Sequence, residues 1–519
     1  MRMLLRLLGL LAVLIVAAAL ALPFLLNTDM AKAKIADTVS LAQAEVPDAM
    51  LRGLGGWSVS PLVTIGDEVA GYRPPGVPDG IGAFAVDAET VRVFVNHELW
   101  RDAGPSYSIG DLKVVGARIS VFDIDRKSRG IRSAGVAYDR VYDHEGRLAT
   151  TSTQISEQTD MPGVGFSRFC SGQGVPAGTY GLRDDIYFAA EEVKQGAHPH
   201  GGSIWALNVA GGTLWAVPAM GRGVWENVTP LETGDPARVA FLLGDDIGAA
   251  PLMLYIGEKG AADSGFLARN GLAHGRLYAW VADDGVLTPD DFSGAGAHMT
   301  GQFVPVAESA TARERRTRAK ELGAFRFSRQ EDVATDPHDG SRAVLASTGG
   351  GAFSSDRWGT TYLVDIDFGS GWLAVPADVT VLYDGDQSQP GPDHGLRNPD
   401  NLDWGDDGVI TVQEDRAEKM GSFGRISGHE ASIWRLDPET GEAERIAEMN
   451  RSVVDDDPKP DDIGNWESSG VLDVTALFDA GPGETLLLAT VQAHSLRGGA
   501  IEEYSLVQGG QIVWLSSPY

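Results

Sequence analysis

Cysteine is nearly absent from this 519-residue chain, and Cys170 is its only representative. That excludes an internal disulfide framework. Basic residues are scarce as well: 42 Lys and Arg stand against 72 Asp and Glu, for a formal net charge of −30. A surface of that sign repels phosphate backbones, so nucleic acid is excluded as a general partner. No zinc-finger spacing, P-loop or dinucleotide fingerprint stands out. A Gly-x-Ser-x-Gly nucleophile elbow in a strand–helix setting is missing too. Metal-assisted hydrolysis is then the leading chemistry, because excess Asp and Glu supply hard oxygen ligands for Ca2+ or Mg2+.

Glycine, by contrast, is plentiful at 65 residues, with 26 prolines and 43% hydrophobic composition. Short strands joined by many tight turns produce that balance. A single ring of β-sheet blades can absorb several hundred residues, so the length does not require several domains. At the N-terminus Arg2 and Arg6 flank an apolar run from Leu7 to Leu26, softly interrupted by Pro23. A basic flank with an apolar core is an export signature. The run also approaches the ~20 residues a membrane helix needs. Residues 1–33 are expected to be a signal peptide or membrane anchor, with Ala31-Lys32-Ala33 or Ala19-Leu20-Ala21 at the cleavage point. Residues 34–519 then form a domain that is periplasmic or extracellular, or tethered to the inner membrane.

Three imperfect patterns recur along that domain. The clearest is an alternating strand at Ile119, Ile204, Leu277, Tyr362, Ile433 and Tyr504. It makes about six copies at a spacing of roughly 70–85 residues, too long for a solenoid but suited to elaborated propeller blades. Ahead of most copies runs a near-continuous apolar strand, as at Val93–Glu98, Tyr187–Glu192, Leu252–Glu258, Ile410–Asp415 and Thr485–Gln492. Such runs fit central strands packed on both faces. A short polar element comes first: Phe169-Cys170-Ser171, Trp225-Glu226-Asn227, Arg329-Gln330-Glu331, Pro399-Asp400-Asn401 and Trp466-Glu467-Ser468. The predicted fold is all-β: a six-bladed β-propeller with inserted loops and a short helix. The helix is the basic stretch Ala312–Lys320, read as solvated. In a propeller the first strand of each blade lines the central channel. Cys170, Glu226, Glu331, Asp400 and Glu467 would therefore converge, and a buried group of acids calls for cations. Oxygen ligands favour Ca2+, Mg2+ or Mn2+, and a thiolate tilts one position toward iron or zinc.

The ordered motifs resemble the PhoX-type alkaline phosphatase family. They are Val95-Asn-His-Glu98, Cys170-Ser-Gly with Glu191-Glu192, Glu226 followed by Gly244-Asp245-Asp246, and Leu322–Glu331. Asn398-Pro-Asp400-Asn401, Glu467-Ser-Ser-Gly and Val491-Gln492-Ala-His494 complete a collinear series over most of the chain. The series departs from the family where Trp225 precedes Glu226, where Gln330 stands between Arg329 and Glu331, and in lacking a twin-arginine signal. The resemblance implies a metal-dependent phosphoesterase acting on a small-molecule phosphate monoester, with Ca2+ and Fe3+ on the propeller axis and a monomeric chain. It implies Cys170, Glu192, Glu226, Glu331, Asp400, Asn401 and Glu467 as metal ligands, with Cys170 on iron and Arg329 gripping the phosphate. The competing readings are a non-catalytic, calcium-stabilised binding propeller and a phytase- or lactonase-like hydrolase. Other residues carry plainer expectations. Cys170 is read as a metal ligand or an inert core cysteine, His97 as structural, Asp245 and Asp246 as a turn or a calcium site, and Asp455–Asp462 as a charged loop or a Ca2+ site. Trp205, Trp280 and Trp434 are expected in blade cores. If Arg329 is not a clamp, it is an ion-pair partner of neighbouring acids.

Overall fold

The computed structural model describes residues 49–194, 196–387, 395–416, 423–454 and 457–517. The expected signal or anchor segment lies outside the described residues, as do Asp455 and Asp456 of the acidic loop. Two strands, β1 (Leu51–Gly53) and β2 (Ser58–Thr64), open the described chain, and six antiparallel meanders follow. The first is β3 (Pro78–Ala85), β4 (Thr90–His97), β5 (Arg118–Asp125) and β6 (Ile131–Val136). The second is β7 (Phe169–Val175), β8 (Ile186–Glu191), β9 (Ile204–Asn208) and β10 (Thr213–Ala216). The third is β11 (Trp225–Leu231), β12 (Arg238–Asp245), β13 (Met253–Glu258) and β14 (Gly275–Ala282). After β15 (Gly301–Pro305) and helix α1 (Ala312–Glu321), the fourth is β16 (Gln330–Thr335), β17 (Arg342–Ser347), β18 (Thr360–Ile366) and β19 (Val375–Asp384). The fifth is β20 (Pro399–Trp404), β21 (Ile410–Glu414), β22 (Ser432–Leu436) and β23 (Ala443–Met449). The sixth is β24 (Glu467–Asp473), β25 (Leu486–Ala493) and β26 (Gly509–Ser516), completed by β2.

Because β2 comes from the start of the described chain and pairs with the last strand, the two ends of the fold are hydrogen-bonded into one sheet. Likewise β1 extends the fifth meander by pairing with β23. The third and fourth meanders are bridged by β15, which pairs with β14 and β19. The first strands touch in a closed cycle: β3 with β7, β7 with β11, β11 with β16, β16 with β20, β20 with β24, and β24 with β3. The apolar cores lie between successive meanders. One joins Phe94 and Ile119 to Phe169 and Trp205, and another joins Val93 and Phe122 to Leu488 and Trp514. This is the arrangement of a β-propeller: sheets stacked face to face around an axis, each burying both faces against its neighbours. Burial on both faces explains the near-continuous apolar runs such as β4 and β25.

Three sequence expectations need correction. The pattern at Tyr504 is no strand. It follows the helical turn Ala500–Glu503, and Ser505 and Val507 take positive φ, which extended pairing does not accommodate. The third strand of that meander is β26. Leu252–Glu258 covers a third strand, not a second, and Leu277 lies on a fourth; second and third strands are each buried except at one end and read alike in sequence. Helix α1 forms where expected, with Thr311 capping the Glu314 N–H at 3.2 Å. It is not simply solvated, however: Ala312, Arg315 and Ala319 are buried. Trp205, Trp280 and Trp434 are core residues, as expected.

Candidate metal centre

Each of the first five inner strands begins with the same distortion. Pairing with the second strand slips between Pro78 and Ile81, Phe169 and Gly172, Trp225 and Val228, Gln330 and Val333, and Pro399 and Leu402. One extra residue in the inner strand is a β-bulge, which re-aims a side chain without reversing the alternation beyond it. The residues inside these bulges include Asp79, Cys170, Glu226, Glu331 and Asp400. In the sixth meander Glu467 stays in register, opposite Gln492. Just ahead of four of the strands, Val77, Arg168, Arg329 and Asn398 adopt left-handed φ of 47–61°. Left-handed non-glycine residues of this kind cluster at functional sites.

All the residues expected at the site line one cavity of about 680 Å³: Cys170, Glu192, Glu226, Arg329, Glu331, Asp400, Asn401 and Glu467. Asp79, Glu98, Asp246, Asp415, Arg168, Gln492 and His494 join them. Asp79 was missed in the sequence. The signal was present, since Pro78-Asp79-Gly80 echoes Pro399-Asp400-Asn401. Candidate ligand atoms fall into four overlapping triads, each within 4.8 Å: Asp79–Glu98–Cys170, Cys170–Glu192–Glu226, Glu226–Glu331–Asp400 and Asp400–Asp415–Glu467. Shared members link the triads into one continuous chain of donors. Cys170 Sγ is 3.7 Å from Asp79 Oδ2 and 4.0 Å from Glu192 Oε2. Behind them, Ser171 Oγ donates to Glu226 Oε1 at 2.9 Å, and Asn401 Nδ2 donates to Ser171 Oγ at 2.9 Å.

Burial, reinforced by Glu98, Glu226 and Glu467, holds the Asp79 carboxyl well above its usual range. Glu226 is pushed to about 7 by burial and then by Asp246 and Glu98. Glu331 and Asp400 are raised strongly for the same two reasons, burial and neighbouring acids. Burial likewise lifts the Cys170 thiol, with Asp79 and Glu226 adding to it. Glu467 is the exception. Burial raises it, but the 2.8 Å hydrogen bond and charge of His494 bring it down to about 2.

Two arginines offset part of this charge. Arg168 pairs with Glu98 and Glu192. Arg329 forks onto Asp246 at 2.8 and 3.2 Å, with Glu331 at 2.6 Å and Asp415 at 3.3 Å. Arg329 is thus an ion-pair partner of three acids while facing the cavity. Glu331 Oε1 is buried and accepts no hydrogen bond despite that proximity. Nine carboxylates and a thiol face five Lys or Arg side chains here. This donor set fits cations: hard oxygens suit Ca2+, and a thiolate among them suits a softer ion such as iron.

The neighbouring motifs resolve differently. His97 is outside the cavity wall, buried, with its ring nitrogens 3.1 Å from Gly76 O and 2.7 Å from Ser120 Oγ. Burial lowers it to about 3. Asp246 belongs to the site, whereas Asp245 is a structural anchor for α1, paired with Arg315 and with Arg316 at 2.9 Å. Trp225 turns away from the axis into the core, its ring 3.9 Å beneath the Arg315 guanidinium.

No protein-family profile matches the chain, and no curated protein matches it in sequence. Among solved structures, Pseudomonas fluorescens PhoX in complex with vanadate, a transition state analogue, superposes over 91% of this chain and 97% of its own. The TM-score is 0.62 at 16% identity. The chain has the PhoX fold. Weaker likenesses to a glucose dehydrogenase (TM-score 0.35, 11% identity, 88% of this chain and 98% of that one) and to the Pseudomonas aeruginosa periplasmic gluconolactonase PpgL (0.31, 12%, 73% and 86%) carry no further weight.

Proposed function

We propose that this chain is an exported, metal-dependent phosphoesterase built on six blades, hydrolysing phosphate monoesters at the axial cluster. The observation that carries the reading is the continuous chain of acidic and thiol donors, with Arg329 and Arg168 set into it. That PhoX, a protein of the same fold, binds vanadate, a transition state analogue, supports it. Cys170, Glu192 and Glu226 would hold iron, and Glu331, Asp400, Asn401 and Glu467 would hold calcium. When bound, such cations supply Lewis acidity toward a phosphoryl oxygen and toward water.

The chain's own residues do the rest. Arg329 presents a planar fork suited to phosphoryl oxygens and stabilises charge developing there. Arg168 orients Glu98 and Glu192 by its ion pairs. His494 keeps Glu467 ionised. Every group comes from one chain, so a monomer suffices. The test is elemental analysis of purified protein together with p-nitrophenyl phosphate hydrolysis after loading with Ca2+ and iron. A protein that binds both ions yet cleaves no phosphoester refutes the reading. Export is tested separately by fusing residues 1–40 to a reporter active only outside the cytoplasm, where a silent reporter refutes it.

A further inference from the structure

Beside the axial cavity lies a second one of about 430 Å³, and the two share Arg416, His494 and Arg497 in their walls. The annex differs sharply in charge. Its wall adds Lys459 to the two arginines, and among the described residues it includes no carboxylate. The main cavity is lined by nine carboxylates. In a chain of net charge −30, three cations around one small hollow are a local reversal of sign.

The contacts of Arg497 and Lys459 leave both charges facing the annex. The Arg497 Nε donates to the His494 carbonyl at 3.4 Å, and the side chain is exposed. Lys459 Nζ stands 3.9 Å from Asp462 and is 63% exposed. Arg416 lies beside Asp415 and feels Glu467, so part of its charge is directed at the main cavity. His494 is committed to Glu467 at 2.8 Å and Gln508 at 3.0 Å.

We propose that the annex is a leaving-group subsite that selects phosphomonoesters whose alcohol carries a second anionic group, a carboxylate or another phosphate. The proposal rests on the phosphoesterase reading and names its substrate class. With the scissile phosphoryl group at the axial cluster, the alcohol must lie in an adjoining space. Arg497 and Lys459 at that space reward a second negative charge and give nothing to a neutral alcohol.

A matched three-carbon series tests this: propyl phosphate, 3-phosphooxypropanoate and propane-1,3-diol bisphosphate. Initial-rate kcat/KM is measured on the protein loaded with Ca2+ and iron, with the bisphosphate value halved for its two equivalent ends. Wild type is expected to prefer at least one anionic compound over propyl phosphate by ten-fold or more, and which one identifies the second group. In Arg497→Gln/Lys459→Gln that preference falls to within two-fold, while Lys459→Gln, which lies outside the main cavity wall, changes propyl phosphate turnover by less than two-fold. Both side chains are exposed, so the single variants provide folded controls. Equal wild-type rates on all three compounds overturn the subsite, as does a uniform loss in the double variant. If none of the three, nor p-nitrophenyl phosphate, is hydrolysed, the phosphoesterase reading itself falls and takes the subsite with it.

Discussion

Replacing Arg329 by alanine separates phosphate binding from metal holding. In the structure its guanidinium forks onto Asp246, stands 2.6 Å from Glu331 and 3.3 Å from Asp415, and carries no ligand atom for a cation. Its removal makes the acid cluster more negative by one charge, so bound calcium and iron at pH 8 should not fall. A phosphoryl group loses a charge-assisted contact, which costs about 1.5–3 kcal/mol. That corresponds to about ten- to a hundred-fold in kcat/KM. Arg329→Lys keeps the charge but not the planar fork, and should fall between. Arg329 also opposes the upward shift of Glu331, so in the alanine variant that carboxyl titrates still higher. Protons then compete longer for it, and the midpoint of calcium uptake moves to higher pH. The assays are kcat/KM on p-nitrophenyl phosphate, elemental analysis, and calcium uptake across pH 6–9, with circular dichroism to verify folding. Full activity in Arg329→Ala refutes the clamp. Loss of metal in proportion to activity shows instead that Arg329 only organises the ligands.

Four further expectations follow from the same geometry. Cys170→Ser should lose iron while retaining calcium, read by elemental analysis together with disappearance of any thiolate-to-iron absorption band. Chelation should make stability more pH-dependent. Burial raises Asp79, Glu331 and Asp400, and Glu226 to about 7. Folded values above unfolded ones mean stability that is present in acid and lost as pH rises through about 7. The melting-temperature gap between loaded and chelated protein should therefore widen from pH 5 to 8, and a constant gap contradicts the cluster's burial. Arg315→Ala should destabilise the fold by about 3 kcal/mol, the lower end for breaking a buried pair, because Asp245 keeps Arg316 and the Val224 N–H. Urea unfolding measures it. Gly80→Ala should abolish soluble protein or cost at least about 3 kcal/mol, since its Cβ would meet the Gly172 nitrogen at 1.9 Å where β3 and β7 touch; a normal melting temperature would contradict that contact.

Much of this protein was legible in the chain itself. Gly-rich punctuation, buried second strands and a recurring polar start identified a propeller and named Cys170, Glu226, Glu331, Asp400 and Glu467. The reason is physical: a strand packed on both faces must be apolar along its length, so a polar residue at its inner end is visible against that background. Other features depend on distance in space. Asp246 and Asp415 are ordinary acids at strand ends until the ring brings Arg329 across to them. Asp245 and Asp246 are adjacent in sequence, but the peptide geometry sends one to α1 and the other to the axis. The basic helix looked solvated because its low apolar content hides Arg315, which is buried against Asp245 and the Trp225 ring. The Tyr504 segment alternates like a strand, yet two left-handed residues prevent pairing. Composition and periodicity determined which residues are polar at a buried position. Only the bulges and the closing of the ring decided which of those side chains meet.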